Sequence, residues 1–119
     1  AGERVFFVGN VMVDSLRWAE RCGRRSAILE QLGLRAAAPF AVVTLHRPSN
    51  VDGREQLAGL VESLRRLASD LPVLFVAHPR TRARLDEFGL GAALRPLQPG
   101  AGEPPPRRGE VCLLGALPY

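Results

Sequence analysis

The chain has 119 residues, of which 46% are apolar, and its net charge is +4. This size suits one small domain with a hydrophobic core, and no apolar run approaches the roughly 18–20 residues that a membrane-spanning helix needs. All of its basic residues are Arg, and acidic residues are interleaved with them, so no long basic stripe forms. These features exclude a membrane partner and argue against a nucleic-acid partner.

The chain begins Ala1-Gly2-Glu3-Arg4, with neither an initiator Met nor a signal-peptide pattern, and it ends just after an apolar run. We therefore expect it to be part of a longer, cytoplasmic protein. Its cysteines, Cys22 and Cys112, form no C-x-x-C pair and lie far in sequence from either histidine. This pattern favours free thiols in a reducing compartment, with no metal site and no disulfide.

The first part of the chain predicts one strand and two short helices. Residues 4–8 (RVFFV) read as a buried strand that turns at Gly9. Asn10 is a good N-cap for a helix over about 11–20. A second helix is expected over about 26–32, before a glycine.

The middle of the chain alternates strands and helices. Residues 40–45 (FAVVTL) are rich in β-branched side chains, as in a parallel strand that is buried on both faces. After a loop over 46–52, a helix is predicted over about 53–69 because apolar residues recur at a spacing of three and four. A further strand over 72–77 and a short helix over about 81–88 follow.

The last part is rich in Pro and Gly. We expect residues 91–109 to be a loop, poorly ordered around its three consecutive prolines, and residues 110–114 (EVCLL) to form a fourth strand. The predicted organisation is thus a partial binding domain over 1–90, a loop or insert over 91–109, and a final strand region over 110–119.

This order of elements predicts an α/β fold, a parallel sheet flanked by helices. Ligands of such sheets bind beyond the carboxyl ends of the strands. The only two histidines, His46 and His78, follow two of the predicted strands, and each has an arginine within two residues, Arg47 and Arg80. Asn10 follows the first predicted strand.

These side chains suit a diphosphate ligand. Arginine offers a forked, permanently charged donor to phosphate oxygens, and histidine can bind phosphate or move protons near pH 7. Asn10 and Asn50 offer neutral hydrogen bonds to hydroxyl groups. One histidine at a strand end is usually a simple turn residue, but two in equivalent positions favour a functional site. The sequence lacks a Gly-rich phosphate loop and a nucleophile turn, so no catalytic set is complete.

Four segments resemble non-hydrolysing UDP-N-acetylglucosamine 2-epimerases. VGNVMVDSL at 8–16 is similar to their TGN segment, and VTLHRPSNVD at 43–52 to their TLHR segment. PVLFVAHPRTRARLDEFGL at 72–90 is similar to their HPRT segment and the helix after it, and LPY at 117–119 matches a later segment more loosely. The resemblance covers about three quarters of the chain.

The resemblance implies a glycosyltransferase-B-like fold of two Rossmann-like domains, with the UDP-sugar in the cleft between them. The chain would be the hinge strand and the first part of the C-terminal domain. The implied reaction inverts C2 of UDP-N-acetylglucosamine by elimination and re-addition of UDP, without a cofactor. His46 and His78 would be catalytic, Arg47, Asn50 and Arg80 would bind the substrate, and Asn10 would bind it from the hinge end.

The resemblance also implies a homodimeric, cytoplasmic parent enzyme that serves cell-envelope polysaccharide biosynthesis. Acidic residues that move the C2 proton and a later Ser-Gly-Gly segment are expected outside this chain, so we expect no turnover and at most weak UDP affinity from it alone. Two alternatives remain open, half of a nucleotide-sugar glycosyltransferase and a non-catalytic nucleotide-sugar-binding module.

Overall fold

The computed structural model describes residues 4–34 and 39–117. Within these ranges the helices are α1 (Val11–Gly23), α2 (Ile28–Gln31), α3 (Pro48–Val51), α4 (Arg54–Ala68) and α5 (Pro79–Glu87), with a 3-10 helix at Gly91–Ala93. The strands are β1 (Ala41–Val43), β2 (Val73–Val76), β3 (Arg95–Pro96) and β4 (Val111–Leu114). No helix in the described ranges is both long enough and apolar enough to cross a membrane.

The strands form one sheet in the order β1-β2-β4-β3, and every neighbouring pair is parallel. Val43 is the register partner of Phe75, and Val76 is the partner of Leu114. The predicted α/β architecture, a parallel sheet flanked by helices, is confirmed. All the carboxyl ends of the strands therefore meet at one edge of the sheet, which we call the carboxyl edge.

Side chains alternate between the two faces of the sheet, as strand geometry requires. One face carries Val73, Phe75 and Leu113, which pack in a cluster with the buried side of α4. The opposite face carries Leu74 and Cys112, which pack with residues next to α2. The two central strands, β2 and β4, are covered on both faces and are continuous apolar runs, as expected for a buried parallel sheet.

The prediction of a strand at residues 4–8 was wrong. The segment lies outside the sheet, and its apolar side chains are exposed, Phe7 completely. A strand needs a neighbour for its backbone hydrogen bonds, and no described residue pairs with this segment. An apolar run signals that a segment is suited to burial but does not supply the partner that buries it.

Helix α1 forms where it was predicted and is capped as predicted. The Oδ1 atom of Asn10 accepts a hydrogen bond of 3.0 Å from the backbone N–H of Met12. The helix is amphipathic, yet no residue in it is buried, and Leu16 and Trp18 on it are well exposed. The N-cap and the helix propensity of its residues therefore stabilise α1, which does not pack against the sheet.

The Pro- and Gly-rich segment contains an element that the sequence did not indicate, the two-residue edge strand β3. Between β3 and β4 there is neither helix nor strand, but the loop is anchored. Gly100 donates its backbone N–H to the carbonyl of Gln31 at 3.2 Å, and Gly109 donates to the carbonyl of Ala68. These bonds join the loop to the ends of α2 and α4.

Candidate functional site

His46 and His78 follow neighbouring parallel strands. Counted from the paired residues Val43 and Phe75, each histidine comes three positions later, so both follow the carboxyl ends of neighbouring strands. Both are exposed. Both histidines therefore belong to the end of the sheet where ligands of parallel sheets bind.

His78 is also the N-cap of α5. Its Nδ1 atom accepts a hydrogen bond from the backbone N–H of Arg80 at 3.4 Å, and Pro79 occupies the first position of the helix, where no N–H is needed. His78 therefore has a structural role as a helix cap, whereas the ring of His46 has no hydrogen bond within the described residues.

Thr81 links α5 to the backbone just before His46. Its side chain is buried, and its Oγ1 donates a hydrogen bond of 2.8 Å to the carbonyl of Leu45. The sequence analysis missed this residue. The available signal was a small polar residue on the same helix face as the buried Leu85, four positions later.

Arg80 is held by Asp52. Its Nη2 lies 2.7 and 3.0 Å from the two carboxylate oxygens of Asp52, and its Nε lies 3.2 Å from Oδ1. Arg84 approaches the same carboxylate at 3.6 Å. Asp52 is the C-cap of α3, so this ion pair ties the loop after His46 to the helix after His78. The sequence proposed Arg80 as a ligand contact and did not foresee this partner.

The remaining predicted site residues lie on α3 or next to it. Arg47 is the exposed N-cap of α3, and no ion pair involves it within the described residues. Asn50 lies within α3 and is half-buried. The sequence treated this stretch as loop, but Pro48 at the first helical position starts a single turn.

Asn10 is not at the end of a sheet strand. The prediction placed it on the same edge as the two histidines, and that prediction rested on a strand that does not form. Its side chain caps α1 instead. In the described structure the two histidines thus follow strands of the sheet, whereas Asn10 does not.

The carboxyl edge also carries an arginine that the sequence analysis did not single out. Arg82 lies on α5, and its Nη1 is 3.7 Å from the position that a Cβ on Gly115 would take. Gly115 directly follows β4, the neighbour of β2. A cavity of about 330 Å³, lined by both residues and by Gln98, opens here.

Nothing in the described ranges resembles a metal centre, since no three His, Cys, Asp or Glu side chains are grouped there. The site offers imidazole, guanidinium and amide groups. Such groups bind anions and transfer protons, and they do not favour a hard cation.

Comparison with known proteins relates the chain to a family. A family model described as UDP-N-acetylglucosamine 2-epimerase matches residues 1–98. The UDP-N-acetylglucosamine 2-epimerase of Methanocaldococcus jannaschii is 34% identical over 93 residues, covering 73% of this chain and 25% of the relative. The UDP-2,3-diacetamido-2,3-dideoxy-D-glucuronate 2-epimerase of Pseudomonas aeruginosa is 33% identical over 98 residues, covering 81% and 26%.

A solved structure gives the same relation. The crystal structure of the M. jannaschii UDP-GlcNAc 2-epimerase in complex with UDP-GlcNAc and UDP superposes with a TM-score of 0.71 at 25% identity. The superposition covers 100% of this chain and 30% of the M. jannaschii enzyme. This chain therefore spans about a quarter of the length of the curated relatives that it matches. By the match of its family model and its fold, the chain belongs to the UDP-N-acetylglucosamine 2-epimerase family.

Proposed function

We propose that this chain is a nucleotide-sugar-binding portion of a UDP-N-acetylglucosamine 2-epimerase. The parent enzyme interconverts UDP-N-acetylglucosamine and UDP-N-acetylmannosamine. The observation that carries the proposal is that His46 and His78 each follow one of two neighbouring parallel strands, in a chain that belongs to this family. Residues 1–90 would be the binding part, 91–109 an insert, and 110–119 the last strand region.

The groups at the carboxyl edge suit the departure of UDP. When the bond from C1 of the sugar to the diphosphate breaks, negative charge grows on the leaving oxygen. Preorganised donors lower the energy of that charge. Arg47 and Arg80 are the predicted guanidinium donors, His46 and His78 the predicted proton carriers, and Asn50 a predicted hydroxyl contact.

Inversion at C2 needs more than this edge supplies. A proton must leave one face of the sugar and return on the other, which requires acid and base groups within about 3 Å on both faces. Two histidines at one sheet edge reach one side only. We therefore propose that acidic residues of the rest of the parent enzyme move the C2 proton, and that this chain alone does not turn over. Asn10 would approach the ligand only if the rest of the parent brings α1 to the cleft.

The test is conversion of UDP-N-acetylglucosamine followed by NMR, for the 119-residue chain, the parent enzyme and two variants of the parent. We expect no conversion by the chain. His46→Ala in the parent should lower kcat about 100- to 10,000-fold, the range for loss of an acid-base group. Arg107→Ala, in the loop before β4, is the control and should stay close to the wild type.

Two results contradict the proposal. Turnover by the 119-residue chain would show that it needs no further domain. A His46→Ala parent with unchanged kcat would remove His46 from the reaction. An assay that detects sugar transfer to an acceptor but no epimerisation would favour the glycosyltransferase alternative.

A second substrate is supported by one relative. The P. aeruginosa protein is named for a diacetamido-glucuronate sugar, and it is about as similar to this chain as the M. jannaschii enzyme. The parent should be offered both UDP-sugars, and the ratio of the two kcat/KM values decides between them. We further propose that the parent is a cytoplasmic homodimer that serves cell-envelope polysaccharide synthesis. Light scattering of the parent tests whether it is a dimer.

A further inference from the structure

We propose that Arg82 is a further residue that binds the diphosphate of the ligand, and that Arg80, which is held by Asp52 between two loops, contributes less to this contact than Arg82. The proposal rests on the proposed function, since it names a contact within the same nucleotide-sugar site. It follows from two differences between Arg80 and Arg82, in their ion-pair partners and in the direction of their side chains.

The first difference is charge compensation. Both carboxylate oxygens of Asp52 lie within 3.0 Å of Nη2 of Arg80, so a phosphate must compete with a carboxylate for that guanidinium. Arg82 has no ion pair within the described residues. Its full positive charge is available to an arriving anion without breaking an existing bond.

The second difference is direction. Arg80 reaches back toward the C-terminus of α3, whereas Arg82 reaches across the sheet edge to the end of β4. Nη1 of Arg82 rests 3.7 Å from the Cβ position of Gly115. Because glycine has no side chain, the guanidinium has room beside the residue that follows β4. Arg82, on the helix after β2, thus places its charge near the carboxyl end of β4.

The cavity beside Arg82 matches this role. Its volume of about 330 Å³ is at the lower end for small-molecule sites. Gln98 brings an amide, while Leu97 and Leu117 bring apolar surface. A guanidinium forks onto two phosphate oxygens, and the apolar surface accommodates the rest of a nucleotide. The chemical class that fits is a nucleoside diphosphate.

The experiment is an NMR titration of the 119-residue chain with UDP and, separately, with inorganic pyrophosphate. Arg82→Gln should weaken the binding of both ligands about tenfold or more, as expected for loss of a charge-assisted bond. Arg108→Gln is the matched control, because Arg108 is exposed and precedes β4 at the opposite edge of the sheet. It should change each Kd less than about twofold.

Asp52→Asn separates the two arginines. It releases Arg80 and removes a carboxylate, so binding should stay the same or tighten. The proposal is overturned if Arg82→Gln binds pyrophosphate as the wild type does, if Asp52→Asn weakens binding as much as Arg82→Gln, or if the wild-type chain binds neither ligand. Melting curves of every variant exclude loss of folding, which this exposed side chain is not expected to cause.

The outcomes also separate this proposal from the proposed function. If the parent is an active epimerase but Arg82→Gln binds UDP as the wild type does, the role of Arg82 is refuted and the proposed function stands. If pyrophosphate binding depends on Arg82 but the parent shows no epimerase activity, the anion site is supported and the epimerase function is refuted.

Discussion

Among the described residues, Thr81 is the buried polar side chain, and its hydroxyl donates a hydrogen bond to the backbone carbonyl of Leu45. Thr81→Val keeps the shape but removes the donor. Since an unsatisfied buried carbonyl costs about 1–3 kcal/mol, we expect a loss of that size in the free energy of unfolding. Urea denaturation followed by circular dichroism measures it.

The matched control for Thr81→Val is Thr44→Val. Thr44 is exposed and lies between β1 and His46, so its change should stay within about 0.5 kcal/mol. Equal effects at the two positions would show that the buried hydroxyl contributes nothing specific to stability.

The two cysteines differ in burial, and this predicts their reactivity. Cys22 is exposed, whereas Cys112 is buried between the strands. Burial raises the pKa of the Cys112 thiol, and a weak hydrogen bond from Arg95 opposes that rise. A thiol reagent should modify Cys22 rapidly and Cys112 about a thousandfold more slowly, because Cys112 reacts after unfolding. Mass spectrometry counts the labels, and rapid double labelling of the native chain would contradict the burial of Cys112.

The raised pKa of Cys112 also predicts a pH dependence of stability. The unfolded chain ionises this thiol above about pH 8.5, while the folded chain keeps it neutral to a higher pH. Stability is therefore intact below that pH and falls as the pH rises toward the folded pKa. Melting temperatures at pH 7.5 and pH 10 should show a smaller loss in Cys112→Ala than in the wild type, and equal losses would assign the effect to other groups.

At the scale of elements, α1 is the least supported helix. Asn10→Ala removes its N-cap, which costs about 1 kcal/mol of helix stability. Because α1 buries no residue, the loss stays local. Amide exchange in α1 should accelerate about fivefold with no change in the melting temperature, whereas Asn10→Asp, which keeps an acceptor, should leave exchange nearly unchanged. A lower global melting temperature for Asn10→Ala would show that α1 packs on the sheet.

The elements with strong periodicity were predictable from the sequence. Helix α4 follows from apolar residues at a spacing of three and four, and strands β1, β2 and β4 from short apolar runs. Residues 4–8 carry the same strand signal but lack a partner within the described chain. Strand β3 escaped prediction because its two residues, an arginine and a proline, have low strand propensity and pair only at the sheet edge.

The site was predictable as far as it depends on strand ends. His46 and His78 follow strands that end at the same edge of the sheet, because parallel strands have this property in common. The Asp52–Arg80 pair joins residues 28 positions apart in sequence, and the place of Arg82 depends on where β4 enters the sheet. Such long-range contacts are fixed by the packing of the elements, and no local pattern encodes them.

At the scale of the whole molecule, the chain is more extended than a compact domain. Its radius of gyration is 17.6 Å, while about 13.5 Å is typical for 119 residues. The segment from residue 4 to the end of α1 adds no buried residue to the core.

Deletion of residues 1–24 tests the independence of the sheet domain. The remaining chain keeps the sheet and both core clusters, so its melting temperature should stay within about 1 °C of the intact chain. Binding of a hydrophobic dye should fall, because the deletion removes exposed apolar side chains such as Phe6, Phe7 and Leu16. A large drop in melting temperature would show that the segment stabilises the sheet.

The position of Trp18 has a consequence for spectroscopy. It is the sole tryptophan of the sequence. It lies on the exposed helix α1 and does not pack in the core. Its fluorescence should already resemble that of an indole in water when the sheet is folded. Emission will therefore stay nearly constant through thermal unfolding of the core, and a shift to shorter wavelength will instead report any surface that comes to cover α1.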